Sequence, residues 1–600
     1  MPDRSQYMRL LKAATRNPVG AIKFASHHSR RAMRERLLRT PCLYSRLQPL
    51  LQQYPSRRYH LRKILDPEVF GKGQPHLDDL LNNQLTVLGK TLELGNRVNW
   101  LADFEGGEWP NLFASDYNRF FTRDFSLPEY RKHGDVKRVW DLNKQHHFVD
   151  LARAYRQSKD TKYQAMLTTQ FLDWVERFPY MWGIGWNAPL VVAQRAINWI
   201  ICYNLDAFPE RLHPLLGASL FDHGKYLAEN LEIDVAGNNS NHLIGDLAAL
   251  DLVGLTLQKQ SWTKKASEML LTEVRRQIYD DGVDYEQSSG YHRYVLGFLT
   301  LVWYANGQQP PILTGAVSKM SNFLNDIARD DGSIPFLSDW DGAKVWVADH
   351  HRPEELYALG RRCATSVRYP NGGYYILRAG PFHLVFDCGP IGMAGRQLAT
   401  HGHSDLLSFC LDVNGEPFIV DPGSGTYTEN REIHDYFRSS SGHNTITIDG
   451  QDQCSLAGTW TLKKHPKARL LSWENYETHD RVCGEHDGYN PIVHRREIQL
   501  VKVPTPIIRI HDDIIGDELH SYECYFHLAP KVIPEISRTS VQLTSQKTRV
   551  KMNFDPNLTA QRVKGWFAPD YGQRIEAPVL VFKGRSQLPA RIKWEYVCSD

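Results

Sequence analysis

Between residues 136 and 328 apolar positions recur three or four apart, the period that buries one face of an α-helix. From Asp141 to Arg156 the stripe is Leu142, His146, Val149, Leu151, Ala152 and Tyr155; from Tyr163 to Phe178 it is Met166, Leu167, Phe171, Trp174 and Val175. The same spacing predicts helices over 189–206, 212–231, 241–256, 262–279, 290–305 and 314–328, with short links that end in Pro, Gly or Asp. Helices joined so tightly pack as neighbours, so the middle of the chain reads as an all-α array. Two basic helical patterns precede it, one over 5–25 broken at Pro18 and one over 29–38 ended by Pro41.

After Arg368 the period drops to two. Gly373–Arg378 and His383–Asp387 alternate as strands, and Asn414-Gly415 between Leu411-Asp412-Val413 and Phe418-Ile419-Val420 reads as a hairpin turn. Asp449-Gly450 ends another strand, and further strands are expected over 496–503, 507–510, 522–528, 541–554 and 579–582. Many antiparallel strands without intervening helices imply a β-sandwich. The expected organisation is a multidomain α and β chain: a basic helical arm over 1–64, a helical domain over 65–365 and an antiparallel β-sandwich over 366–600.

Six hundred residues exceed one ordinary core. A hydrophobic content of 42% with 23% charge is that of a soluble globular protein, and no run of eighteen apolar residues offers a membrane span. Met1 to Thr40 carries charges throughout and lacks the apolar core of a secretory signal, which predicts a cytoplasmic location. The nine cysteines are dispersed and never spaced Cys-x-x-Cys, so buried free thiols are expected rather than a disulfide framework. A net charge of +3 says little globally, but residues 1–63 hold fifteen Lys/Arg against two Asp/Glu. That arm fits an inner-membrane surface, a polyanion or an assembly partner, and equally a solvated helical arm. Nothing suggests a nucleic-acid partner.

Candidate chemistry concentrates where polar residues interrupt the strand pattern: His401-Gly402-His403-Ser404-Asp405, Val420-Asp421-Pro422-Gly423 with Tyr427 close behind, and Ser441-Gly442-His443-Asn444-Thr445. Twenty-five histidines produce some close pairs by chance. These, however, are flanked by Gly and Ser and followed by the core-type run Leu406–Leu411, where polar groups need a reason to be present. Imidazole plus carboxylate is a donor set suited to zinc. The preferred assignment is His403, Asp421 and His443 as ligands, leaving His401 for chemistry. An ideal strand would aim His401 and His403 to the same face, which Gly402 can relax. In the helical region Asn238-Asn239-Ser240-Asn241-His242 exceeds what a helix cap requires. Asp284-Tyr285-Glu286-Gln287 through Tyr291-His292 is a polar loop running into a helix, the kind of segment that carries sites.

Together with Trp140–Asn143, Trp186 through Arg195 to Trp199 and Phe437-Arg438-Ser439, these motifs resemble, in order and spacing, the heparinase II/III-type polysaccharide lyases and their alginate-lyase relatives. The resemblance spans about residues 85–600. It implies an incomplete α/α toroid followed by an antiparallel β-sandwich, and β-elimination at C4 of a uronic acid in an anionic polysaccharide. In that chemistry a base takes the C5 proton, the adjacent carboxylate absorbs charge, and an acid protonates the leaving oxygen. By resemblance Asn241 and His242 neutralise the uronate carboxylate. Tyr291 is the general acid, and also the base when both groups lie on one face of the sugar; His401 is the base or second proton-transfer group. The resemblance also makes His403, Asp421 and His443 the holders of a structural divalent metal, zinc first. Trp186, Arg195, Glu286, Tyr427 and Arg438 are groove candidates, with core packing the alternative for Trp186 and Tyr427. Most such lyases work outside the cytoplasm, which makes the periplasm the family-based alternative location. A uronyl C5-epimerase and a non-catalytic glycan-binding component are the rival functions.

Overall fold

The computed structural model describes residues 60–71, 80, 84–94, 97–117, 133–234, 237–307, 310–346, 352–393 and 400–599. The two basic helical patterns of the expected amino-terminal arm fall outside them. Among the described residues nine helices of at least eight residues precede the sheets: α1 Val136–Lys144, α2 His147–Ser158, α3 Thr161–Arg177, α4 Pro189–Asn204, α5 His213–Asn230, α6 Asn241–Thr256, α7 Gln260–Gln277, α8 Ser289–Ala305 and α9 Pro311–Ile327. None is long and apolar enough to cross a membrane. Apart from a two-stranded ribbon ahead of α1, Gln84–Val87 with Lys90–Glu93, strands begin at Val367, so the change of period lies where it was expected.

Two compact units result. One contains the described residues up to Val87, Thr91–Glu273 and Phe298–Gln309; the other contains Leu88–Lys90, Val274–Gly297 and Pro310–Asp600. The loop before α8, the first half of α8, and α9 group with the sheets. In the helical unit α4 and α6 are buried nearly end to end and pack on each other. Apolar residues lie on every side of both, as expected of helices with no solvent face, and most polar ones among them, Arg195 and Asp246 included, are buried as well.

The other unit has three antiparallel sheets. The first orders β1 Val367–Tyr369, β2 Tyr374–Ala379, β3 Phe382–Asp387, β4 Phe409–Val413 and β5 Glu416–Ile419 consecutively. After α10 (Arg431–Arg438) the chain adds β6 Ile446–Ile448, β7 Ala468–Asn475, β8 His479–Tyr489, β9 Ile492–Val501, β10 Ile507–Ile515 and β11 Leu519–His527. It ends with β12 Ile533–Ile536, β13 Ser540–Thr544, β14 Arg549–Phe554, β15 Thr559–Phe567, β16 Ile575–Gln587 and β17 Ala590–Ser599. Eight of these form a sheet ordered β12-β13-β14-β17-β10-β9-β8-β7, and four form β15-β16-β11-β6. The expected strand over 541–554 is two strands, β13 and β14, paired with each other through a tight turn at Ser545–Thr548. One hydrophobic core draws Phe386 and Phe409 from the first sheet, Phe526 and Phe582 from the four-stranded sheet, and Ile498, Ile510 and Trp594 from the eight-stranded one. The eight cysteines within the described residues are all free thiols.

Candidate active site

The site in the sheet-bearing unit begins at the first turn of α8. Ser288 caps it: its hydroxyl accepts the Tyr291 N–H at 3.1 Å and donates to the Asp339 carbonyl at 2.6 Å. Gly290 makes that approach feasible, since a β-carbon there would lie 3.0 Å from the same carbonyl. The Ser289 hydroxyl donates to the Pro335 carbonyl and accepts the Leu337 N–H, so the loop after α9 is laced to the start of α8. This loop carries two carboxylates that the motif reading did not single out, Asp339 and Asp341.

The phenol of Tyr291 donates to Asp341 Oδ2 at 2.7 Å and stands 3.3 Å from the hydroxyl of Tyr427. Its ring lies flat against the imidazole of His401, with centroids 3.5 Å apart and planes within 17°. Nδ1 of His401 donates to Asp339 Oδ2 at 2.8 Å, and Nε2 is 3.4 Å from Glu286 Oε2. Burial, then the carboxylate of Asp341, then Tyr427 and Asp339 push the Tyr291 phenol well above its ordinary pKa. A phenolate needs neighbouring positive charge, whereas the groups around this phenol hold its proton in place. Tyr291 is therefore held in its neutral, protonated form.

Asp339 serves two histidines. Its Oδ1 accepts from His403 Nε2 at 2.7 Å while Oδ2 takes His401. Burial alone would raise this carboxyl, but His403 and His401 outweigh it and hold Asp339 well below the usual carboxylate range. The two imidazoles thus do converge on one side of the chain. Gly402 does not re-aim them through a left-handed backbone; it is small because a β-carbon would come within 2.9 Å of the Gly392 nitrogen.

With His403 Nε2 carrying a proton toward Asp339, its Nδ1 presents a lone pair. His443 is arranged in the opposite sense: Nδ1 donates to Asp421 Oδ2 at 2.8 Å, leaving Nε2 bare. The two bare nitrogens face each other at 3.2 Å. Two lone pairs at that separation need a cation between them, either a proton or a metal. Asp405 completes a buried trio whose ligand atoms all lie within 4.8 Å of one another. The donor set, two imidazoles and a carboxylate, fits zinc. The structure thus differs from the expected ligand set in its carboxylate: Asp405 groups with the histidines, and Asp421 stands behind His443, where it orients the ring. Burial lowers His443, but Asp421 outweighs burial and lifts it to about 9.

Arg438, expected in a groove, is buried at the end of α10. It donates to the carbonyls of Gly402, at 2.7 Å, and Thr459, and so anchors the His401–His403 loop from behind. Trp460 follows Thr459 and stands edge-on to His401 at 5.9 Å and to Tyr427 at 4.8 Å.

The remaining candidates lie in the helical unit. Ser240 caps α6, and Asn241 is its first residue, fully buried. His242 is half-exposed and contacts Glu232 at 3.0 Å. Trp186 and Arg195 are core groups: Arg195 is fully buried, donates to the Asn143 and Gly185 carbonyls and to His223, and lies 4.0 Å over Trp174. The groove role expected of these two gives way to packing, because neither ring nor guanidinium reaches solvent.

Two family models match the chain, the heparinase II/III N-terminus over residues 115–351 and the heparinase II/III-like C-terminal domain over 361–595. The chain belongs to the heparinase II/III-like superfamily. Within it, heparin-sulfate lyases of Bacteroides stercoris and Pedobacter heparinus are 22% and 20% identical over 73% and 74% of this chain, and 71% of theirs. A crystal structure of heparinase III covers 94% of this chain and 91% of its own, with TM-score 0.66 and 17% identity. A heparan sulfate lyase, HepC, from Pedobacter heparinus superposes with TM-score 0.55 over 94% of this chain and 92% of that one. The heparinase-like fold is thereby shown: a helical region followed by a sheet-rich one.

Asp339, Asp341, Asp405 beside the two histidines, and Trp460 are the residues around this cluster that were missed from sequence. Ser338-Asp339-Trp340-Asp341 falls in a loop without periodicity, and its two carboxylates gain meaning only from partners 50 and 62 residues away.

Proposed function

We propose that this chain is a polysaccharide lyase that cleaves a uronic-acid-containing glycosaminoglycan of the heparan sulfate type by β-elimination. The observation that carries the reading is the stacked Tyr291–His401 pair, each ring held by its own carboxylate. Its relatives, named as heparin-sulfate lyases, supply the substrate class.

His401 Nε2 takes the C5 proton. Asp339 keeps the other ring nitrogen protonated and stabilises the imidazolium that forms, the service a buried carboxylate gives a general base. Tyr291 donates its proton to the O4 leaving oxygen as the bond breaks, and Asp341 and Tyr427 position the phenol. The uronate carboxylate, which absorbs the charge of the enolate-like state, is assigned to Asn241 and His242 on the family resemblance. His403, Asp405 and His443 would hold a structural zinc or related divalent ion. Bound there, the ion supplies fixed positive charge and ties the His403–Asp405 loop to the turn before β6. The same reading takes the helices as an incomplete α/α toroid and the sheets as a sandwich around their common core.

Incubation with heparan sulfate, chondroitin, hyaluronan and alginate, followed by the ultraviolet absorbance of the unsaturated sugar, tests the proposal. Heparan sulfate is expected to give product. Tyr291→Phe is expected to lower turnover by roughly 10²-fold to 10⁴-fold, the scale for losing a positioned acid. Absence of unsaturated product from every polymer overturns the lyase reading, and solvent deuterium entering C5 without unsaturation would identify an epimerase instead.

A further inference from the structure

A feature that catalysis does not use lies directly beside the stacked pair. Residues 455–463 form a tight hairpin: Ala457 N–H donates to the Thr461 carbonyl at 2.9 Å and Lys463 N–H to the Ser455 carbonyl at 2.8 Å. Its base is pinned by a small apolar cluster of Cys454 and Leu462 with Ile391 and Leu406. Its tip is pinned by Arg438, which donates to the Thr459 carbonyl. The hairpin is thus held at both ends, and it sets the half-buried ring of Trp460 against His401 and Tyr427.

The outgoing leg is basic: Lys463, Lys464, His465, Lys467 and Arg469 fall within seven residues. Arg469 is spoken for by Glu485. Lys463, Lys464 and Lys467 are exposed, and among the described residues none forms an ion pair. The nearby acid is Asp487, whose carboxylate accepts the backbone N–H of Lys467 at 2.7 Å. From Trp460 to Lys463 is three residues, at most about 11 Å of chain.

We propose that this hairpin is a substrate arm: Trp460 receives the apolar face of a pyranose beside the scissile bond, and Lys463, Lys464 and Lys467 take the sulfate and carboxylate groups of the flanking units of the same chain. An aromatic face suits the C–H side of a sugar ring, while exposed ammonium groups close together along the chain suit a polymer with an anion on every unit. A neutral glycan would gain nothing from the lysines. The inference deepens the proposed function and rests on it for the identity of the polymer.

The test uses the full-length chain and two readouts. Steady-state kinetics of Lys463→Ala/Lys464→Ala/Lys467→Ala on long heparan sulfate and on a size-defined tetrasaccharide should show KM rising about tenfold on the long chain, several times more than on the short one. This corresponds to a loss of about 1.4 kcal/mol of binding. The triple Arg variant should restore it. Trp460→Ala should raise KM on both lengths and Trp460→Phe should largely recover it. Independently of turnover, the same lysine changes made in a Tyr291→Phe background should lower the salt needed to elute the protein from immobilised heparan sulfate. Unchanged KM and elution salt in the lysine variant overturn the proposal. So does an equal loss of retention on duplex DNA, which would mark an unspecific basic patch. If the wild-type protein cleaves no uronate polymer, the lyase reading fails by itself, while the elution comparison still decides whether the hairpin binds the polyanion.

Discussion

In the proposed mechanism Asp339 is the residue on which the chemistry turns, because one carboxylate fixes the tautomer of two imidazoles. Asp339→Asn keeps the shape but offers an amide N–H to one ring nitrogen, so either His401 or His403 has to move its proton. Turnover is expected to fall roughly 10²-fold to 10⁴-fold, the scale on which a wrong tautomer or a misplaced base is felt. Bound metal in the purified protein should fall as well, since losing the group behind a ligand typically weakens a site by about 10-fold to 100-fold. Elemental analysis alongside kinetics separates this from simple misfolding. Full activity with full metal content would reduce Asp339 to a space-filling role. At this scale the sequence was legible where the motif carried its own chemistry: Tyr291, His401, His403 and His443 all stand in the one site. It was not legible where identity depends on a distant partner. Asp421 and Asp405 are equally plausible ligands by type, and only the direction of the His443 ring distinguishes them. Arg195 and Trp186 read as groove residues because buried cation–aromatic packing and solvent-facing recognition use the same side chains.

Among the elements, the strand pair beneath the site carries the largest electrostatic commitment. β9 alternates inward and outward, and its inward positions include His494 and Arg496 between Ile492, Ile498 and Leu500. Arg496 faces Asp512 across the ladder with β10 and binds both its oxygens; the Nε contact is 2.7 Å. It also donates to the carbonyls of Leu407 and Asn444, the neighbours of the Asp405 and His443 segments. The pair therefore supports the loops above it. Arg496→Met leaves Asp512 charged, buried and short of donors, and is expected to cost about 3–5 kcal/mol, read as a lower urea midpoint. Burial raises Asp512, but Arg496 and His494 outweigh it and hold the carboxyl well below its ordinary value. In the unfolded chain it takes up a proton near pH 3.9. Its contribution is thus complete above that pH and is lost as pH falls below it. As pH falls from about 4 toward about 2 the urea midpoint of the native chain should fall more steeply than that of Asp512→Asn; parallel slopes there would remove the pair from the acid response. Element type was legible where burial imposes a clean period. The expected helices 189–206, 241–256 and 290–305 correspond to Pro189–Asn204, Asn241–Thr256 and Ser289–Ala305. Some missed strands lack that period: β7 and β15 are sheet edges with few buried side chains, and β8 reads as polar because its buried positions include Glu485 and His486; β17, whose Ile592, Trp594 and Tyr596 alternate cleanly inward, was missed as well.

For the whole molecule, the order of a helical region before a sheet-rich one followed from the change of period at residue 368, but the allotment of α9 and the start of α8 to the sheet-bearing unit did not. Periodicity reports which face of an element is covered, never by what. The metal trio tests how far that unit depends on one small site. His403 and Asp405 lie on the loop before β4, while His443 arrives 40 residues later, so an ion there cross-links segments that the unfolded chain holds apart. Any ion that binds the folded chain alone stabilises it by mass action, about 2.7 kcal/mol at a free concentration 100 times Kd. In a domain this large each kcal/mol moves Tm by only about 2 °C. Exhaustive chelation at neutral pH is therefore expected to lower Tm by about 5 °C and to cut activity, with zinc restoring both. Because the ion displaces the proton on His443, binding should also release protons, and apparent affinity should rise with pH until that ring is neutral, near 9. Calorimetric titration of the chelated protein with zinc in buffers of different ionisation enthalpy measures that release directly. If Tm and activity survive chelation and no protons appear on titration, the 3.2 Å approach of His403 and His443 is held by a shared proton alone, and the site is a buried hydrogen-bond network rather than a metal centre.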